Sequence, residues 1–285
     1  MIRNIALVAS LILREAARRR LLPTVAVFSL ALVAATAWGL HRIATFRNPS
    51  GHTISHYELL VLTSLLVVMM AFMFCIIVSL VSAFLGALSM GIEIESGILL
   101  AIAPRPIRRY EIVLGKLCGN FFLLAAYTIA VGAIELLVVR AVTGYAPPHP
   151  AIALLYLTAV GAITLLITMC LSVRLSAVAA GFAAIVLFGM ARIAGFADVI
   201  ASALNNTAVQ QATAIVSLLV PSDGLWRGAA FALEPAAMVA LGSSVQRGNP
   251  FITLAPPTHA YLLWSAGWGV ACVVATIALF ARRDL

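Results

Sequence analysis

Six stretches of 20 or more mostly apolar residues follow one another along this 285-residue chain, and one charged segment between them stands out. An α-helix needs about 20 consecutive apolar residues to cross the hydrocarbon of a bilayer. The pattern therefore predicts spans at residues 21–40, 58–88, 117–139, 151–173, 176–197 and 258–281. Pro23 falls in the opening turn of the first span, where a helix tolerates it. The second run is long enough, at about 1.5 Å per residue, to cross with tilt and project beyond the bilayer. Alternation of the outer-membrane barrel type is absent from the sequence. The expected class is an all-α polytopic membrane protein with six transmembrane helices, forming one domain over residues 1–285.

Ahead of the first span, residues 2–18 carry a helical period. Arg3, Asn4, Ser10, Arg14, Glu15 and Arg18 fall on one side of a wheel, and Ile2, Ile5, Ala9, Ile12, Leu13 and Ala16 fall opposite. The polar set spans roughly 140° of arc, with Leu7 and Leu11 as exceptions. Such a helix lies in the membrane interface with its basic side, extended by Arg19 and Arg20, towards anionic headgroups.

Residues 90–116 form the charged segment, with Glu93, Glu95, Arg105, Arg108, Arg109, Glu111 and Lys116. Each such charge would cost about 2.5–3.5 kcal/mol at mid-bilayer, so the segment is expected in water or against a water-soluble partner. Pro104 and Pro106 break any helix continuing out of the second span. Arg105, Arg108 and Arg109 are then displayed around the start of a new helix, with Glu111 able to meet Arg108 at i, i+3. A short helix set across the ends of two spans is a lever. A loop that merely stops transfer would explain the arginines, but not Glu93, Glu95, Gly97 and the two prolines.

Residues 198–257 are apolar but broken. The run 208–220 is too short to span comfortably; PSDGLWRG follows from Pro221, then a run over 229–241 interrupted by Glu234-Pro235. Two short helices that dip into the outer leaflet or lie on its surface and return are expected, one of them capped by Ser222 or Asp223. Were 208–220 to cross, the C-terminus would change sides.

Composition agrees with a lipid-solvated surface: 63% of residues are hydrophobic and 10% charged, with a mean hydropathy of +1.10. The net charge of +8 would suggest nucleic acid for a soluble protein, but the positive-inside rule accounts for it better. Twelve of the 18 Lys and Arg fall at the N-terminus, the charged segment, Arg174 and the C-terminus; Arg42, Arg47, Arg140, Arg192, Arg227 and Arg247 fall on the other side. Both termini and the charged segment are thereby assigned to the cytoplasm. Cys75, Cys118, Cys170 and Cys272 lie in apolar runs without CxxC spacing and are expected to be packing residues.

Catalytic signatures are missing: no phosphate loop, no HExxH and no nucleophile elbow occurs in the sequence. No catalytic residue, metal site or cofactor is therefore expected in this chain. Glu135 is the carboxylate well inside a span, readable as a proton relay or as a structural group paired with Arg140 or water. His52 and His56 are spaced i, i+4, but Gly51 and Ser55 do not favour the rigid helix that metal ligation would need.

Taken in order, REAARRRLL at residues 14–22, ExESG at 93–97 followed by APRPIRRYEIVLGK at 103–116, PSDGLWRG at 221–228 and the terminal FARRDL resemble the membrane subunit of a type-2 ABC transporter. REAARRR in particular is similar to permeases grouped with copper-enzyme maturation, although no Met or His cluster here supports copper transport. The resemblance implies that residues 1–20, with Arg14, Glu15, Arg18, Arg19 and Arg20, are the family's interfacial elbow helix. It makes Glu93, Glu95, Gly97, Pro104, Arg105, Pro106, Arg108 and Arg109 the cytoplasmic coupling segment that docks into a separate ATPase, and 198–257 the outer re-entrant helices, bearing Pro221, Asp223, Trp226 and Arg227. Two membrane subunits, identical or related, would pair with two ATPase copies that bind ATP and Mg. Closure of the ATPases would tilt the spans and export substrate across the cytoplasmic membrane. An ion-coupled secondary transporter using Glu135 is the alternative, although it would need more coupling carboxylates and often internal repeats.

Overall fold

A computed structural model of the chain describes residues 2–18, 21–44, 56–92, 108–235, 249–253 and 255–283. Every regular element among them is helical. In order they are α1 (Ile2–Arg18), α2 (Leu21–Ala44), α3 (His56–Gly86) running into a π-helical turn (Ala87–Gly91), α4 (Arg109–Thr143), α5 (Pro150–Ser172), α6 (Ala177–Ala203), α7 (Thr207–Leu219), α8 (Ser222–Leu233) and α9 (His259–Ala281). Five of these, α3 with its π turn, α4, α5, α6 and α9, are long and apolar enough to cross a membrane. The protein is thus an α-helical polytopic membrane protein.

Local signals explain the boundaries. The side chains of Ser176, Asn206 and Thr258 accept from Ala179, Val209 and Tyr261 N–H and so cap α6, α7 and α9. Pro150 starts α5, where its missing N–H is not needed. At the end of α4, Gly144 adopts φ 73° and returns its N–H to the Arg140 carbonyl, a left-handed cap that favours glycine. The start of α4 corrects the sequence reading most. Arg108 is extended, its N–H donates to the Glu111 carboxylate at 3.1 Å, and the helix begins at Arg109, eight residues before the expected span. Glu111 therefore does meet Arg108, but through a backbone amide.

At the centre stands α5, which touches α3, α4, α6, α8 and α9. Its most apolar window is 61% buried, against 11% for α9, so α9 is peripheral and turns Leu263, Trp264, Val270 and Val274 outward. The hydroxyls of Thr158, Thr164, Thr168 and Ser172 on α5 donate to carbonyls one turn back, which lets these polar residues sit in the core. Gly86 and Gly161 lie where a Cβ would overlap Thr168 and Val78 respectively, so α3 and α5 approach at backbone distance.

Two ends of the bundle can be told apart by contact. At one, α1, the first turn of α4, the 173–176 turn and the last turn of α9 meet. Arg109 donates to the carbonyls of Phe280, Ala281 and Arg283, and Arg283 donates to that of Val173. The unpaired carbonyls at the C-terminus of α9 are thus met by a cation, as the helix dipole favours. At the other end, the 144–149 connection meets α8, His149 N–H donating to Ala232 O at 3.1 Å and Tyr145 Oη to Leu233 O at 2.7 Å.

Candidate functional site

Two polar constructions interrupt the apolar bundle. The first is formed by the roots of the charged segment. Of the residues singled out there, Glu93, Glu95, Gly97, Pro104, Arg105 and Pro106 lie outside the described residues, as do Arg19, Arg20 and His52. Its flanks meet the expected exposure only in part: Arg108 and Arg109 are exposed, but the positions nearer the bundle are not. Met90 and Gly91 are buried at the π turn, and Lys116 is only 2% exposed. Lys116 Nζ donates to the Ser89 carbonyl, and Asn120 Nδ2 donates to Ser89 Oγ at 2.8 Å. A π turn frees a carbonyl from the regular ladder, and here α4 supplies the donor.

On the other flank, Asn4 of α1 donates to Glu111 Oε2 at 3.1 Å, the same oxygen that receives the Arg108 amide. α1 lies across α4 over Gly115 and Gly119, where a Cβ would run into Val8 and the Ala9 carbonyl. This is a GxxxG seat. It went unread in the sequence, although the spacing was there to find. The expected apolar face of α1 is thus spent partly on protein: Ile12 is buried, whereas Leu7 and Leu11 are exposed beside Arg3 and Arg14. Arg108 and Arg109, expected to be displayed together, diverge: Arg109 reaches the C-terminal carbonyls of α9. Arg108 is exposed.

The second construction is built on PSDGLWRG, whose residues from Ser222 onward form the first turns of α8. Pro221 is the N-cap residue and makes no side-chain cap; neither Ser222 nor Asp223 caps, contrary to expectation. Instead the Asp223 carboxylate, facing α6, accepts from Arg227 Nε at 2.8 Å and stands 3.5 Å from Arg192 Nη1. Arg227 Nη2 continues to the Gly195 carbonyl at 3.0 Å and Asp198 at 3.1 Å, and Asp198 accepts from Thr213 of α7 at 3.2 Å. Two arginines and two aspartates therefore join α6, α7 and α8 in a neutral network.

Gly224, Trp226 and Gly228 of the motif each meet a side chain from another helix. A Cβ at Gly224 would overlap the Tyr261 ring, and one at Gly228 the Tyr156 ring. Tyr261 Oη accepts the Gly224 N–H at 3.2 Å, tying α9 to the first turn of α8. Trp226 is buried and meets Phe72 edge-on at 5.3 Å, in a cluster with Phe196 and Phe251. Arg192 was counted from sequence among the loop cations of one side. It lies instead inside the bundle, its guanidinium 5.3 Å from the Phe188 ring centre and 5.7 Å from that of Trp226. It therefore carries no topological information.

Where α8 ends, Glu234 is buried, one oxygen accepting the Thr253 N–H at 3.0 Å and the other without a hydrogen-bond partner among the described residues. Burial pushes its carboxyl up to about 7, against the lowering effect of the Thr253 amide. Burial likewise raises the nearby Tyr145 phenol, and the Glu234 charge adds to it.

Glu135 does not meet Arg140, which is exposed. Its Oε1 is 2.8 Å from Thr36 Oγ1 of α2, beside a cavity of about 20 Å³ lined otherwise by apolar groups, room for about one water. A second α2–α4 contact, Ser29 Oγ to Tyr127 Oη at 2.7 Å, lies about two turns away. Among the described residues no three His, Cys, Asp or Glu side chains converge as metal ligands would. Cys75 is a packing residue as expected, but Cys118 is exposed. No family model matches the chain, and no curated protein matches it.

Proposed function

We propose that this chain is the membrane subunit of a type-2 ABC transporter, with α2 as the first of six spans, α1 as its elbow helix and both termini in the cytoplasm. In that reading α7 and α8 are the outer re-entrant helices. The chain has no ATPase motif of its own; two copies of a separate ATPase bind ATP and Mg and press on the segment around Glu93 to Arg109. A second membrane subunit, identical or related, completes the transporter, which exports its substrate across the cytoplasmic membrane.

One observation carries the reading: the charged segment is anchored on both flanks by polar contacts, buried on one side and partly exposed on the other. On one side stands the Ser89, Lys116 and Asn120 group, and on the other Asn4 with Glu111 and Arg109 with the end of α9. A push on residues between them acts on α1, α3, α4 and α9 together, whereas a slack loop would absorb it. Coupling of this kind requires an element with two arrangements that both sites bias, and closure of the ATPases supplies the bias.

Affinity purification from the native membrane in mild detergent tests the class. Recovery of a soluble ABC ATPase at about one copy per chain is expected, and the Glu93→Ala/Arg105→Ala double variant should insert normally yet lose stimulation of that ATPase. Unaltered stimulation would sink the assignment. The ion-coupled alternative rests on the buried Glu135–Thr36 pair. In the same preparation, loss of transport by Glu135→Gln at normal expression would favour it.

A further inference from the structure

Between α6, α7, α8 and the start of α9 lies a cavity of about 360 Å³, within the range of about 300–1,000 Å³ typical of small-ligand sites. Asp198, Thr213, Ser217, Asp223, Arg227 and Tyr261 line it, with Ala214 and Ala255 to Pro257 supplying apolar wall, and the Asp223 carboxylate is already held between Arg227 and Arg192. The chemistry of its lining is mixed in a particular way. The Arg227 and Asp198 side chains are each about one-third exposed, 33% and 32%, and sit 3.1 Å apart. Arg227 uses Nε and Nη2 on Asp223, Asp198 and the Gly195 carbonyl, and its Nη1 hydrogen-bonds to none of the described residues. Each Asp198 oxygen holds one donor, from Thr213 or Arg227, and retains a further lone pair.

A simple anion drawn to the free Nη1 would meet the Asp198 charge beside it, and a simple cation drawn to Asp198 would meet Arg227. A ligand with both charges satisfies both groups. In the first turn of α8 the Ser222 and Gly224 amides are already taken, by the Val220 carbonyl and Tyr261 Oη. We propose that this cavity binds a small zwitterion, an ammonium joined by a short chain to a phosphate or carboxylate. The ammonium sits at Asp198, the anionic group at Arg227 Nη1, and the linking carbons along Ala214 and the proline wall.

That chemistry occurs both in free solutes and in the headgroup of an ethanolamine phospholipid, and the exposed Leu218 and Leu219 of α7 leave apolar surface beside the cavity for acyl chains. The proposal does not depend on how transport is driven. Purified full-length protein is titrated with soluble phosphoethanolamine and, in nanodiscs, with ethanolamine phospholipid against phosphatidylglycerol, retained ligand being read by native mass spectrometry. A preference of about tenfold for the ethanolamine probe over phosphatidylglycerol is expected. Binding of phosphoethanolamine would assign a free solute, and binding of the lipid alone a headgroup; either supports the site. Ala214→Trp fills the cavity without touching the ion pairs and should abolish binding; if it fails to fold, Ser217→Leu fills the same space. Asp198→Asn should erase the preference for the ammonium-bearing probe. Equal retention of both lipids by the unaltered protein, or full binding by a folded cavity-filling variant, would overturn the proposal.

Discussion

Removing the Asp223 carboxylate tests whether the arginine–aspartate network holds α8 in place. In Asp223→Ala, Arg227 keeps Asp198 and the Gly195 carbonyl, so it loses a single charge-assisted hydrogen bond. Arg192 loses more. It is 5% exposed, its Nε and Nη1 already lack hydrogen-bond partners among the described residues, and of those residues only the Ser222 carbonyl at Nη2 and the two aromatic rings would remain. Stripping the partner from a buried ion costs about 3–5 kcal/mol, because the remaining charge stays desolvated. Replacing both members by apolar groups costs far less, often nothing. The Arg192→Met/Asp223→Ala double variant should therefore recover at least half of the single variant's loss. Unfolding free energies from denaturant titration in mixed micelles give the four corners of the cycle. The reasoning fails if Asp223→Ala lies within about 1 kcal/mol of the unaltered protein, or if the double variant loses the sum of the two single losses.

Two further outcomes follow from other sites. The carboxyl of Glu234 is raised from 4.5 to about 7 by burial, so the folded protein holds that proton more tightly than the unfolded chain. Stability from this group is fully present below pH 4.5, falls as pH rises towards 7, and is gone above it, a loss of about 3 kcal/mol. Glu234→Gln should remove that slope, seen as a melting temperature that diverges from the unaltered protein between pH 4.5 and 7 and runs parallel above it; a constant difference would refute it. Gly115→Leu places a side chain where Val8 already sits, and overpacking of this kind costs about 1–3 kcal/mol. Limited trypsin digestion should then cut at Arg14 sooner while α3 to α9 stay protected, and equal rates would show that α1 is not seated there.

Much of this architecture was legible in advance for a simple reason. Lipid offers no hydrogen bonds, so a run such as 151–173 must close its own backbone bonds as a helix, and α5 spans Pro150–Ser172. The amphipathic period of residues 2–18 likewise returns as α1. PSDGLWRG was legible as the start of a short helix, but Ser222 and Asp223 do not cap it and the use of its glycines could not be read locally. Gly224 and Gly228 are there to admit the rings of Tyr261 and Tyr156, neighbours distant in sequence. The buried flank of the charged segment resisted because a lysine is costly in hydrocarbon but not where a freed carbonyl awaits it, and the π turn at Ser89 is invisible in composition.

By itself, the sequence determined that the chain is helical, that its surface is lipid-solvated, where most of its apolar helices run, and that residues 90–116 are the exceptional segment. Those are consequences of local composition and of the solvent. Only the tertiary structure decided that Arg192 is an interior residue, that Glu135 answers to Thr36, that α1 is seated on Gly115 and Gly119, and that Arg227 and Asp198 share the wall of one cavity. Each of these depends on a partner about 30 to 110 residues away, and the pairing of polar groups buried in apolar surroundings is set by which helices pack together, which no single stretch of sequence records.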